Sequence, residues 1–171
     1  MFDFLFPDHR FENITQIHRK WLKRQEIYTM LLDVDCTLKY YRSKTLLPEI
    51  AAWLERKMSQ GFHFCLLSNG RKGRIGQLAK ELDIPFYAPA FKPFPGGCRK
   101  AMLTLNLDPQ YTALIGDQVF TDVIAANLAG IRSILVTPLR PYEEPIFTRI
   151  KRPFESLILK FDSQKHRYFS D

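Results

Sequence analysis

Met30-Leu31-Leu32-Asp33-Val34-Asp35-Cys36-Thr37-Leu38 is an apolar run that stops at two carboxylates separated by a single residue. A run of this kind ending in polar groups has the form of a parallel strand covered on both faces, with its functional groups at the carboxyl end. Open α/β sheets bind their ligands at that edge. Side chains two apart on a strand share a side, so Asp33 and Asp35 can address one ligand while Val34 faces the other way. Two like charges that close require a cation or a shared proton.

Outward from this strand, residues 39–47 read as an irregular loop. Pro48 then starts a helix running to about Gln60, with Gly61 as its stop signal. Residues 62–67 form a second buried strand ending in Ser68-Asn69-Gly70, and a charged helix follows over 73–82. A short strand over 84–87 is weakened by Pro85. The turn cluster of residues 92–97 precedes a helix over 98–106. Residues 111–115 form a fourth strand, ending in Gly116-Asp117. Thr121 is the expected N-cap of a helix reaching Ala129, with Gly130 as its C-terminal partner. Residues 131–137 make a fifth strand, closed by Pro138. Strands alternating with helices at this spacing predict a doubly wound parallel sheet.

The two ends of the chain carry apolar stripes at helical spacing. Ile14, Ile17, Trp21 and Leu22 fall near one helical face, with Arg19, Lys20, Lys23 and Arg24 largely elsewhere. The expected role is packing against the first core strand, and a basic membrane-surface helix is the alternative. Beyond Pro138, Ile146, Phe147, Ile150, Phe154, Leu157, Ile158 and Phe161 recur at helical spacing. Pro153 is expected to break this stretch into a short turn and a helix that starts there. Arg149, Lys151, Arg152 and Lys160 surround the stripe, for which docking on the core is expected and a basic membrane-facing edge is the second reading.

At 171 residues and 46% hydrophobic content the chain can bury one full core, so a single domain over 1–171 is expected. Within it, 1–29 is an N-terminal helical segment, 30–138 the motif-bearing core and 139–171 a C-terminal helical extension. A net charge of +7 favours anionic partners: phosphorylated substrates, nucleic acid or an acidic membrane surface. A basic surface that only aids solubility explains the same number, since no dense block of Lys or Arg stands out. Three cysteines without a Cys-x-x-Cys pair suit a reducing compartment. The first residues lack a positively charged leader, and no stretch reaches the roughly 20 apolar residues of a membrane span. A cytoplasmic protein is expected, with peripheral contact to an anionic membrane open to it.

Several strands end in groups that one reaction would need. Asp33 and Asp35 end the first, Ser68 and Asn69 the second and Asp117 the fourth, while Lys92 enters from a loop between them. Singly, each is as readily a turn, a cap or a solvated charge. In this order they resemble the haloacid-dehalogenase-like (HAD) phosphohydrolases, whose four motifs lie at strand ends. Asp33-Val34-Asp35-Cys36-Thr37 is similar to the first motif, Leu66-Leu67-Ser68-Asn69 to the second and Lys92-Pro93 to the third. The run from Gly116-Asp117 to Asp122 is similar to the fourth. A closer resemblance is to subfamily IIIA, the YqeG-like group related to phosphatidylglycerophosphate phosphatases. It is carried by Phe6-Pro7-Asp8, Gly116-Asp117-Gln118 with Thr121-Asp122-Val123, Ile134-Leu135-Val136 and Phe147-Thr148-Arg149. Cys36 and Gly70 depart from it, since the family commonly has Asn at both positions.

The resemblance implies a three-layer Rossmann-like HAD fold with a parallel sheet, and a Mg²⁺-dependent phosphomonoester hydrolase. It implies Asp33 as the nucleophile that forms an aspartyl-phosphate, and Asp35 as the residue that protonates the leaving group and then activates water. Asp33, the backbone carbonyl of Asp35 and Asp117 would hold Mg²⁺, with Asp122 in support. Ser68 and Asn69 would meet the substrate phosphate, Lys92 would balance its charge, and Thr37 would fix the loop. Cys36 to Arg42 and Cys65 to Arg71 match the Cys-x5-Arg spacing of cysteine phosphatases. Cys65 sits in mid-strand, however, and the residues after Cys36 are too bulky for an anion-binding loop.

The gaps between motifs leave no room for a sizeable cap domain, so the site is expected to be open and its substrate large or lipid-borne. Phosphatidylglycerophosphate is the leading expectation. A soluble phosphatase of sugar phosphates or nucleotides is the runner-up. From another class, a basic HAD-fold binding module could dock nucleic acid or a ribosome-assembly partner.

Overall fold

The computed structural model of the chain describes residues 3–162. Thr29–Leu32 forms strand β2, and all four of its residues are buried, as an apolar run without polar alternation requires. It pairs in parallel with His63–Leu67 (β3) on one side and Thr112–Gly116 (β5) on the other. Beyond β3 lies the two-residue strand Phe86–Tyr87 (β4), and beyond β5 lies Arg132–Val136 (β6). His9–Phe11 (β1) completes a parallel six-stranded sheet of order β1-β6-β5-β2-β3-β4.

Among the described residues six α-helices flank the sheet: Arg19–Arg24 (α1), Pro48–Ser59 (α2), Lys72–Leu82 (α3), Gly96–Thr104 (α4), Ile124–Ala129 (α5) and Ile146–Asp162 (α6). The period of two along β2 divides them into layers. Met30 and Leu32 join one core with Trp21, Leu22, Ile50, Trp53, Leu54, Ile75 and Leu78, from α1, α2 and α3. Leu31 joins the opposite core with Cys65, Leu67, Cys98, Ala101, Met102 and Ala126, against α4 and α5. The expected three-layer α/β arrangement is therefore observed. The connection from β2 to α2 holds only a tight turn and an irregular loop over 39–47, and α3 follows β3 directly. No sizeable cap interrupts the described residues.

The N-terminal segment differs from the expected single helix. After a 3-10 turn, Asp3–Leu5, it forms β1, a strand without apolar alternation that is pinned from outside. Asp8 Oδ2 accepts from the Ser133 amide at 2.8 Å and from Ser133 Oγ at 3.0 Å, while the Asp8 amide donates to Ser133 Oγ at 3.0 Å. The helical stripe is split between a 3-10 turn, Ile14–Gln16, capped by Asn13, and α1. Its side chains nevertheless do what the spacing implied. Ile14, Ile17, Trp21 and Leu22 are all buried, so this segment packs on the core.

Three further expectations are corrected. Thr121 caps nothing: the chain enters its helical region at Gln118 and passes through a π-helical turn, Val119–Val123, before α5. Gly130 does end α5, with φ of 78° in the left-handed region that glycine adopts without strain. Pro153 does not break the C-terminal stretch, because α6 runs through it as one helix. The carbonyl of Arg149, which loses its amide partner there, belongs to an exposed residue where water can serve it. Core docking of the C-terminal stripe is also overturned. Phe147 is 78% exposed and Phe154 60%, and only Ile158, with Leu159, packs inward against Val119, Val123 and Leu135.

Candidate active site

β2 lies where the sheet order reverses: the chain moves outward through β3 and β4, then returns to β5 on the other side of β2. This switch point opens a crevice at the carboxyl ends of β2 and β5. Asp33 extends the ladder by one residue, its amide donating to the Ile115 carbonyl at 2.9 Å. The chain then turns back sharply, with Cys36 at φ of 64° and its amide bonded to the Lys39 carbonyl at 2.9 Å. The turn carries Thr37 inward, where its hydroxyl donates to Asp117 Oδ1 at 3.0 Å and lies 3.5 Å from Asp33 Oδ2.

Asp33, Asp117 and Asp122 converge, each offering a carboxylate oxygen within 4.8 Å of the others, and all three are buried. Asp117 follows β5 directly. Asp122 comes from the π-helical turn, which brings it back beneath Gly116, where any Cβ would run into the Asp122 carboxyl group. Asp122 Oδ2 accepts from the Gln118 amide at 3.0 Å. Lys92 Nζ enters the cluster and donates to Asp33 Oδ1 at 2.7 Å, Asp122 Oδ1 at 2.6 Å and the Leu67 carbonyl at 2.9 Å.

Burial pushes the Asp33 carboxyl up to about 7; Lys92 pulls it down and Asp122 adds to the rise. Burial also lifts Asp117 well above the carboxylate range, with Asp33 and Asp122 adding to it and Arg152 opposing. Burial works against the Lys92 charge, but Asp122 and Asp33 outweigh it and hold the ammonium protonated. Arg152 of α6 contacts the Asp117 carboxylate and donates to the Asp117 carbonyl at 2.6 Å, yet it is shared with Glu144 and Glu155. Five carboxylates thus meet two cationic side chains. An oxygen-only, buried and negatively overcharged cluster of this kind fits a hard divalent cation.

Asp35 sits outside that cluster. Lys39 Nζ donates to Asp35 Oδ1 at 2.7 Å, and Arg74 grips the carboxylate in a bidentate pair at 2.8 and 2.5 Å. Burial would raise this carboxyl, but the hydrogen bonds from Arg74 and Lys39 outweigh it and hold Asp35 below its ordinary value. Two carboxylates two residues apart therefore hold protons very differently.

Ser68 is buried at the end of β3, its hydroxyl accepting from the Gly70 amide at 3.1 Å. The Asn69 carboxamide is occupied with the loop that carries Lys92: its Nδ2 donates to the Lys92 carbonyl, and its Oδ1 accepts from the Lys92 amide, both at 2.8 Å. Its side chain thus orients the Lys92 loop.

A cavity of about 830 Å³ lies over these groups, lined by Asp33, Asp35, Ser68, Asn69 and Lys92. Arg42, Arg71, Arg74 and Lys151 also line it, so part of the net positive charge, scattered in sequence, is gathered at one mouth. The cysteine alternative fails. All three thiols are buried and free, and burial raises Cys36 and pushes Cys65 up to about 12, so neither supplies a thiolate at neutral pH.

The sequence reading named the carboxylates, Ser68, Asn69, Lys92 and Thr37, and the structure brings all of them to one sheet edge. It did not assign Lys39, Arg74, Glu144 or Glu155 to the site, and it placed Arg152 only among the cations beside the C-terminal stripe. Lys39 lies four residues after Asp35, a spacing that hints at the pair, whereas no local signal marks the other four.

The HAD-hydrolase-like family model matches residues 90–138. The chain is 30% identical over 156 residues to "Probable phosphatase YqeG" of Bacillus subtilis (strain 168), covering 91% of this chain and 90% of that protein. It is 25% identical over 166 residues to a chloroplastic/mitochondrial phosphatidylglycerophosphate phosphatase 1 of Arabidopsis thaliana. That match covers 92% of this chain but 48% of the relative, so the chain spans about half of its length. Among solved structures, it is similar to a 3-deoxy-D-manno-octulosonate 8-phosphate phosphatase of Moraxella catarrhalis, with a TM-score of 0.53. Identity there is 19%, with 86% of this chain and 97% of that chain covered, a likeness of fold alone.

Proposed function

The chain belongs to the HAD-like phosphatases, the family of YqeG, and on that premise we propose that it is a Mg²⁺-dependent phosphomonoesterase of subfamily IIIA, working through an aspartyl-phosphate on Asp33 and acting on phosphatidylglycerophosphate. The observation that carries this reading is the convergence of three buried carboxylates and Lys92 beneath an open, basic-rimmed cavity. Asp33, Asp117 and the Asp35 carbonyl would hold the Mg²⁺ with Asp122 in support, and when bound it screens the phosphate dianion from the attacking carboxylate.

The remaining chemistry falls to the chain's own side chains. Arg42, Arg71 and Arg74 draw the phosphate into the cavity, and Ser68 donates its hydroxyl proton to a phosphoryl oxygen. Lys92, whose loop is held by Asn69 and whose ammonium is kept protonated by its carboxylate neighbours, balances the charge that builds on the phosphoryl group. An Asp33 oxygen attacks phosphorus, the bond to the leaving oxygen breaks, and Asp35 gives that oxygen a proton. Asp35 then takes a proton from water, whose oxygen attacks phosphorus and releases Asp33. The pairing with Arg74 suits the second, basic half of this cycle. For the first half, a phosphate that draws Arg74 away removes the strongest hydrogen bonds to Asp35 and raises its affinity for a proton.

Several features support a lipid-borne substrate: the absence of a cap among the described residues, the basic rim, and the likeness to a phosphatidylglycerophosphate phosphatase. We read residues 1–171 as a single domain working at the cytoplasmic side of an anionic membrane. No described helix is long and apolar enough to cross one.

The test is a panel of phosphatidylglycerophosphate in micelles, sugar phosphates, nucleotides and a phosphopeptide, with and without Mg²⁺. Turnover of the lipid that requires Mg²⁺ is expected, with Asp33→Asn lowering kcat by at least about 10⁴-fold. Full activity of Asp33→Asn would overturn the assignment of the nucleophile, and preference for a soluble phosphate would overturn the lipid substrate.

A further inference from the structure

Helix α6 is amphipathic the wrong way round for a helix that packs on a core. Its inward face carries Arg152 and the buried Glu155, tied to Asp117 and Glu144. Its outward face carries Ile146, Phe147, Ile150, Phe154, Leu157 and Phe161, each more than half exposed. At 100° per residue these six fall within an arc of about 100°, the width of an apolar docking stripe. The inversion is enforced, because rotating the stripe inward would pull Arg152 away from the buried carboxylates of Asp117 and Glu144, which lie outside the helix. Exposed contiguous apolar surface of this size marks an interaction site.

Charge identifies the partner. Lys151 lies on one flank of the stripe and Arg149 on the other, both exposed, in a chain of net charge +7. An apolar stripe with cations along both flanks is the pattern of a helix lying in the plane of an anionic bilayer surface. A second copy meeting the stripe face to face would bring the flanking cations of both chains together. Thr148 and Lys151 of the same helix line the cavity above Asp33, so a surface that receives the stripe also borders the site's mouth.

We propose that the outer face of α6 docks on an anionic lipid surface, seating Phe147, Ile150, Phe154, Leu157 and Phe161 among the acyl chains with Arg149 and Lys151 at the headgroups. The proposal deepens the lipid-borne reading of the substrate and rests on it for its purpose, and the two are separable by experiment.

The full chain is sedimented with phosphatidylcholine vesicles that contain or lack phosphatidylglycerol. In parallel, its Mg²⁺-dependent hydrolysis of p-nitrophenyl phosphate and of phosphatidylglycerophosphate in those vesicles is followed. Binding is expected only to the anionic vesicles, weakening with added salt. The double variant Phe147→Glu/Phe154→Glu should lose at least about tenfold in vesicle affinity while its p-nitrophenyl phosphate hydrolysis and melting curve stay unchanged. Leu157→Trp should give a blue-shifted emission on the same vesicles. Wild-type protein that stays in the supernatant, or a double variant that sediments as wild type does, would overturn the docking. A dimer abolished by the double variant, with no vesicle binding, would overturn it in favour of a second copy. Vesicle binding without hydrolysis of phosphatidylglycerophosphate would sustain the docking and remove the lipid substrate.

Discussion

Strand β2 and the outer face of α6 carry the same kind of sequence signal, large apolar residues at the spacing of a regular element, and the fold treats them in opposite ways. Along β2 the apolar residues fill both cores, and the charge waits at the strand's end. Along α6 the charge is turned inward into an ion-pair network, and the apolar residues face out. Periodicity therefore reports that an element has a face without reporting which way the face points. What orients the element is the partner of its polar side.

The sharpest way to break this comparison uses one residue type and one substitution in both places. Leu32→Ala, at a position with no exposure, should cost about 3–5 kcal/mol in urea unfolding through the lost burial and the cavity left behind. Leu157→Ala, at 53% exposure, should fall within about 0.5 kcal/mol of wild type. Equal losses would mean that the stripe packs on the protein after all.

The next effect lies in the network that holds α6. Arg152→Gln leaves Asp117, Glu144 and Glu155 without their shared cation. Breaking a buried pair costs about 3–5 kcal/mol, and the partial exposure of Arg152 lowers the expected loss to about 2–3 kcal/mol. Urea unfolding of the metal-free protein measures it. A loss below about 0.5 kcal/mol would show that α6 is held mainly by Ile158 and Leu159.

A pH trend separates the two aspartates that follow β2. Asp33 has a raised folded value, about 7, so the stability linked to it is full below its unfolded value near 4 and is lost as pH rises through 7. Asp35 has a depressed value, so its contribution is present above about 4 and is lost as pH falls through its folded value. Melting of the metal-free protein should therefore show Asp33→Asn gaining on wild type between about pH 4 and 7, while Asp35→Asn closes its deficit below about pH 4. Mg²⁺ should raise the melting temperature more at pH 8 than at pH 5. A stabilisation by Mg²⁺ that is the same at both values would count against a cation held by Asp33.

Much of this molecule is legible in its sequence because its chemistry sits where the chain changes state. Strands β2, β3 and β5 are largely apolar runs, and the residue that follows each has few positions to occupy, so the places of Asp33, Ser68 and Asp117 could be read from local pattern. Lys92 was marked by the resemblance of Lys92-Pro93 to the third motif of the family, since a loop lysine alone carries no such signal. What was not legible depends on contacts distant in sequence. Arg74 reaches Asp35 across 39 residues and Arg152 reaches Asp117 across 35. A helical arginine looks the same whether its partner is water or a buried carboxylate. β1 escaped notice because a three-residue edge strand, held by Asp8 and Ser133, needs no apolar alternation of its own. Thr121 was misplaced because a cap and the interior of a π-helical turn tolerate the same residue type.

Among the described residues the short loop over 39–47 puts no lid over the mouth of the cavity, and this bears on how turnover is paced. An enzyme with a lid closes to shed water and reopens for each product, and that reopening often limits its rate. Here the second wall would be the surface that presents the phosphate. If the proposed lipid substrate holds, neighbouring headgroups would complete the enclosure, and hydrolysis would become a contact reaction governed by the two-dimensional density of substrate instead of its bulk concentration. An enzyme that need not open between cycles can glide from one headgroup to the next without leaving the surface.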